Sequence, residues 1–85
     1  MKMATYTTDI TLEHDGPVGE AEAEGLLDAF GADGVGVEST EGSPLVRVTL
    51  RADADSLGEA GKRWDDLTDR VLTVVPGWRL TSSRA

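Results

Sequence analysis

A two-layer α+β sandwich is the fold class this chain of 85 residues predicts, and three observations predict it. Apolar and polar residues alternate from Tyr6 to Glu13 and again from Leu45 to Ala52, the period of two expected of strands with one covered face. Two other stretches, from about Pro17 to Phe30 and from Ser56 to Val75, repeat their apolar residues at helical spacing. Turn-forming clusters separate these stretches, so the elements read strand, helix, two strands around a turn, longer helix and short closing strand, or βαββαβ.

In the first strand Tyr6, Thr8, Ile10 and Leu12 share one face, and Thr7, Asp9, Thr11 and Glu13 share the other. Asp15-Gly16-Pro17 follows as turn material, and Pro17 suits the first turn of a helix because its missing N–H has no intrahelical partner there. The first helix then places Ala23, Leu26, Leu27 and Phe30 with Gly19 toward the sheet, with Glu20, Glu24 and Asp28 opposite. Gly31 stands where a left-handed glycine closes a helix. Gly19 and Gly25 each cost about 1 kcal/mol relative to alanine in a helix interior, so this helix depends on tertiary packing and is expected to be the softer of the two.

Val35 to Ser39 alternates as a second strand, and the turn Thr40-Glu41-Gly42-Ser43-Pro44 leads to a third with Val46, Val48 and Leu50 inward. Ser56-Leu57-Gly58-Glu59 matches the capping box S-x-x-E, in which serine and glutamate side chains satisfy two orphan backbone N–H groups at a helix start. The inward stripe of the second helix runs Leu57, Ala60, Gly61, Trp64, Leu67, Thr68, Val71, Leu72, Val75, with Trp64 as anchor. Pro76 takes Val75 out of helical geometry and Gly77 turns the chain, so that Trp78 to Thr81 return as the closing strand. Residues 82–85 are expected to fray.

Right-handed crossovers would arrange these elements as a four-stranded antiparallel sheet ordered 4-1-3-2 with both helices on one face, which is the ferredoxin-like arrangement. No linker, repeat or low-complexity stretch interrupts residues 1–85, which read as one domain.

Composition excludes several function classes. Sixteen acidic against eight basic side chains give a formal charge of −8, which repels phosphate backbones and anionic headgroups, so no direct nucleic-acid or membrane binding is expected. Without cysteine there is no disulfide, no thiolate metal site and no cysteine nucleophile. The N-terminus runs straight into a strand pattern without a signal-peptide or membrane-spanning stretch, so the chain reads as cytoplasmic.

Few motifs carry chemistry. Asp65-Asp66-Leu67-Thr68-Asp69 spells DDxxD, resembling the magnesium-holding motif of isoprenoid-diphosphate enzymes. Those enzymes need a large helical bundle, and the spacing of Asp66 from Lys62 and Arg70 favours ordinary helical ion pairs. His14 is the one histidine, so a histidine-rich metal site within one chain is excluded, and as a general base it would need a pocket and an orienting partner. Neither G-x-S-x-G nor G-x-G-x-x-G occurs. No catalytic residue, metal site or cofactor is assigned.

Known uses of the ferredoxin-like arrangement can be tested by the residues they require. The paired cysteines of metal chaperones, the exposed aromatics of RNA-recognition domains and the phosphate loop of acylphosphatases are all missing. Asp15-Gly16-Pro17-Val18-Gly19 resembles the strand–helix junction of the ACT domain, which implies a small-ligand regulatory role. His14, Asp15 and Trp78 are the ligand-binding candidates on that reading. Another relative of this arrangement, the dimeric α+β barrel, packs two sheets face to face and includes cofactor-free enzymes. An acidic mimic of nucleic acid is a further alternative.

The leading expectation is a non-enzymatic protein–protein interaction module, either a homodimer or a small accessory subunit, whose contact surface is the open sheet face. Thr5, Thr7, Asp9, Thr11, Glu13, Gly36, Glu38, Leu45, Arg47, Thr49, Arg51 and Arg79 would populate that face. Arg47, Thr49 and Arg51 are its candidate contact residues, because strands hold arginine's planar multidentate head rigidly. The competing expectation pairs the two arginines with Asp9 and Glu38 across the sheet.

Overall fold

The computed structural model describes residues 3–40 and 42–84. Strand β1 (Ala4–His14) leads to helix α1 (Glu20–Phe30), a 3-10 turn (Gly31–Asp33) and the antiparallel pair β2 (Gly34–Ser39) and β3 (Leu45–Ala54). Helix α2 (Leu57–Val74) and strand β4 (Trp78–Arg84) complete the chain. The four strands form one antiparallel sheet in the order β2-β3-β1-β4, or β4-β1-β3-β2 from the other edge.

One core lies between sheet and helices. Ile10 and Leu12 of β1 and Val46, Val48, Leu50, Ala52 and Ala54 of β3 point into it, all buried. Ala23, Leu26 and Phe30 of α1 and Ala60, Trp64, Thr68 and Val71 of α2 close over them, and the two helices touch, so both lie on the same face. Ser56 Oγ accepts the Glu59 N–H at 3.2 Å, the serine half of the capping box, and no reciprocal glutamate bond is present among the described residues. Val75 takes an extended conformation at the end of α2, as the following proline requires.

Five local expectations need correction. Helix α1 begins at Glu20 rather than Pro17, because Val18 donates its N–H to Ser43 O at 3.1 Å and buries its side chain, which ties residues 17–19 to the β2–β3 turn and keeps them out of the helix. Val35 is 53% exposed: the pairing of β2 with β3 shifts between Gly34 and Gly36, so Val35 is an extra residue at a bulge. Leu57 is 46% exposed, since the first residue of α2 lies beyond the part that covers the sheet. Strand β3 continues its alternation through Ala54. Strand β4 extends past Thr81 to Arg84, its residues 82–84 paired with Thr11, Ile10 and Asp9 of β1, while Ala85 lies outside the described residues.

That last pairing contains a second bulge. Leu12 pairs with Leu80 and Thr11 with Ser82, leaving Thr81 over, and its hydroxyl donates to Thr11 O at 3.0 Å. At Gly34 a Cβ would lie 3.0 Å from Leu27 Cδ1 and from Phe30 Cβ, so the absence of a side chain lets the end of α1 sit on the β2 edge. Gly77, at φ 92°, turns the chain from α2 into β4 in a conformation that other residues rarely adopt.

Candidate functional site

The face of the sheet away from the helices is populated by the odd-numbered residues of β1 and β3, because successive strand residues point to opposite sides. Its side chains form rungs across the strands. Thr49 Oγ1 donates to Asp9 Oδ1 at 2.7 Å, and Thr5 Oγ1 donates to Asp53 Oδ1 at 2.6 Å. Arg47 Nη2 donates to the Glu38 carboxylate between β3 and β2. Between β4 and β1, Arg79 Nη2 donates to Glu13 Oε1 at 2.6 Å, with Nη1 3.9 Å from Asp15. These are the ion pairs among the described residues.

Both arginines titrate above their ordinary range, Arg47 through its hydrogen bond to Glu38 and then that carboxylate's charge, Arg79 in the same way through Glu13. A cation held at a raised pKa contributes stability below its ordinary range and loses it only as pH rises past the raised value, here in strong alkali. The arginine half of the network therefore stays charged throughout the neutral range.

Arg47, Thr49 and Arg51 stand in one row along β3, and the structure brings all three to the open face. Arg47 pairs with Glu38 as expected of it. Arg51 does not pair with Asp9: the register sets Asp9 opposite Thr49 and Arg51 opposite Thr7, and Arg51 has no ion pair among the described residues. Asp53 was absent from the expected face because β3 was expected to stop at Ala52. The continuing alternation Arg51-Ala52-Asp53-Ala54 was the signal that could have found it.

His14, Asp15 and Trp78 also come together, at the end of the sheet where β1 meets β4. The His14 and Trp78 rings lie 4.6 Å apart at 50°, and His14 Nδ1 sits 3.2 Å from Gly16 O and 3.4 Å from Gly16 N. Asp15 donates its N–H to Gly77 O at 3.1 Å. Trp78 is only 8% exposed, so the indole caps the core and the imidazole lies on it. A hollow of about 600 Å³ lies elsewhere, between the start of α1 and β2, lined by Val18, Glu20, Ala23, Glu24 and Val37. On the open face a wider, shallow dent of about 730 Å³ runs from Thr11 and Arg47 to Ser43 and Leu45.

Among the described residues no three histidine, aspartate or glutamate side chains converge as metal ligands. The aspartates of the DDxxD stretch are exposed on α2, and the ion pairs expected of Asp66 with Lys62 and Arg70 do not close. Long, solvated side chains lose as much in rotamer freedom as such a contact returns. No helix among the described residues is long and apolar enough to cross a membrane. Comparisons with protein-family models, curated proteins and solved structures return no match.

Proposed function

We propose that this chain is a cytoplasmic interaction module of ferredoxin-like architecture, without catalytic activity, whose contact surface is the open face of the sheet, with Arg47, Thr49 and Arg51 at its centre. The observation that carries the reading is the contrast in charge between the open face and helix α1. On the described open face, Arg47, Arg51 and Arg79 stand against Asp9, Glu13, Glu38 and Asp53, close to balance in a chain of formal charge −8. Across the core, α1 carries Glu20, Glu22, Glu24 and Asp28 and no basic residue, whereas α2 sets Lys62, Arg63 and Arg70 against Glu59, Asp65, Asp66 and Asp69. A charge-balanced sheet surface rich in threonine is chemically suited to a polar protein contact, in which hydrogen bonds and complementary charges set the register.

Reversing both unpaired and paired arginines tests it. The double variant Arg47→Glu, Arg51→Glu changes exposed side chains only, so the expected outcome is an unchanged far-ultraviolet circular dichroism spectrum together with lost association in sedimentation of the untagged protein from the cells that make it. Association that survives the double reversal would place the contact surface elsewhere.

A further inference from the structure

We infer that the surface which docks on the open sheet face is a second copy of this chain, stacked face to face about a two-fold axis that runs parallel to the strands between β1 and β3. This rests on the sheet-face reading above and names its partner.

The argument begins with how charge is sorted by strand. Crossing the described open face from edge to edge, β2 carries Glu38, β3 carries Arg47 and Arg51, β1 carries Asp9 and Glu13, and β4 carries Arg79. The sign alternates strand by strand, with Asp53 at the far end of β3 as the exception. A two-fold axis parallel to the strands reverses the order, so β3 faces β1 of the second copy and β2 faces its β4. Every basic strand then lies over an acidic one. A two-fold axis running across the strands would keep the order and stack β3 on β3, guanidinium against guanidinium, which disfavours that assembly.

The register sharpens this. Arg47 pairs with Thr11 within the sheet, so under the strand-parallel axis Arg47 lies across from Thr11 of the second copy. Asp9 and Glu13 of that copy stand one step to either side, about 7 Å along the strand, within reach of a guanidinium across sheets stacked about 10 Å apart. Leu45, an exposed apolar residue of this face at 44%, is offset from its own copy by about one strand spacing across the axis, with the two backbones about 11 Å apart. β1 and β3 run roughly 30 Å along the face and β2 and β4 flank only about 20 Å of it, so two copies would bury on the order of 1,000 Å², the floor for a specific interface. A contact of that size without a buried aromatic anchor belongs among the weak, reversible associations. The helix layer offers no competing self-contact through α1, whose carboxylates would meet their own kind.

The test is sedimentation of the purified full chain between about 1 µM and 1 mM at low ionic strength, with two variants. One reverses β3 (Arg47→Glu, Arg51→Glu) and the other reverses β1 (Asp9→Lys, Glu13→Lys). The wild type is expected at twice the chain mass, and its dimer should weaken about tenfold between 0.05 M and 0.5 M salt. Each variant alone faces like charge and should dissociate at more than about a hundredfold lower concentration-normalised affinity. An equimolar mixture of the two should restore a dimer, an outcome that misfolded variants could not give.

Because the chain has no cysteine, Thr40→Cys beside β2 and Thr81→Cys on β4 can report the axis. A short bis-maleimide should join the two variants to each other in preference to either to itself. Preferential joining of Thr81→Cys to itself overturns the strand-parallel axis. A wild type that remains monomeric up to 1 mM, or a dimer indifferent to both charge sets, overturns the second copy as the partner. In the monomeric case the sheet-face reading survives if the Arg47, Arg51 reversal releases a different chain, and it fails with this inference if no association responds to that reversal.

Discussion

The two faces of the sheet are built by the same strands and differ at every second residue. On the helix side, Val46, Val48, Leu50 and Ala52 of β3 are buried and hold the fold. On the open side, Arg47, Thr49, Arg51 and Asp53 alternate with them, and Arg47, Thr49 and Asp53 make polar contacts that solvent reaches. A small chain thereby separates two environments along one strand: burial on one face supplies stability, and the other face is released from the core and keeps its polar groups in water. Substitutions on the two faces should therefore differ in kind, and not only in size.

The largest expected effect is at the anchor of the helix side. Trp64→Ala removes the bulkiest buried side chain of α2 and should cost about 3–5 kcal/mol, a large share of what a domain this small possesses. Chemical denaturation with a shared slope would measure it. A loss under about 1 kcal/mol would mean that α2 does not hold the core through this residue. Neighbours on one strand sharpen the contrast: Leu50→Ala should cost about 3 kcal/mol, whereas Thr49→Ala, one residue away and facing out, should cost under about 0.5 kcal/mol. Equal losses at both positions would break the division between the faces.

Most of this division was legible as periodicity. The inward stripe of α2 and its serine cap could be read because they depend on residues close in sequence, and the membership of the open face followed from parity along each strand. What could not be read depends on contacts made across the chain. Val18 is tied to Ser43, more than twenty residues away, so α1 starts later than Pro17 suggests. The bulges that set Val35 and Thr81 aside are properties of two strands together. Register likewise sets Asp9 against Thr49 and leaves Arg51 without an ion pair among the described residues, although parity had placed all three correctly on one face. Residues 82–84 have little apolar character and form strand because the β1 edge offers them backbone partners.

The smallest expected effect is a gain, and it tests whether the helix side is as dry as its packing implies. Thr8 faces inward on β1 opposite Leu50, and its buried Oγ1 has no hydrogen-bond partner among the described residues. A hydroxyl taken from water without a bond costs about 1–3 kcal/mol, and valine has nearly the same shape with a better preference for strands. Thr8→Val should therefore stabilise the fold by about 1 kcal/mol and raise the thermal midpoint. The same replacement at Thr49, whose hydroxyl holds Asp9 at 2.7 Å, should give no such gain. If Thr8→Val instead lowers stability by a similar amount, the hydroxyl is bonded within the core and the helix side is not dry at this position.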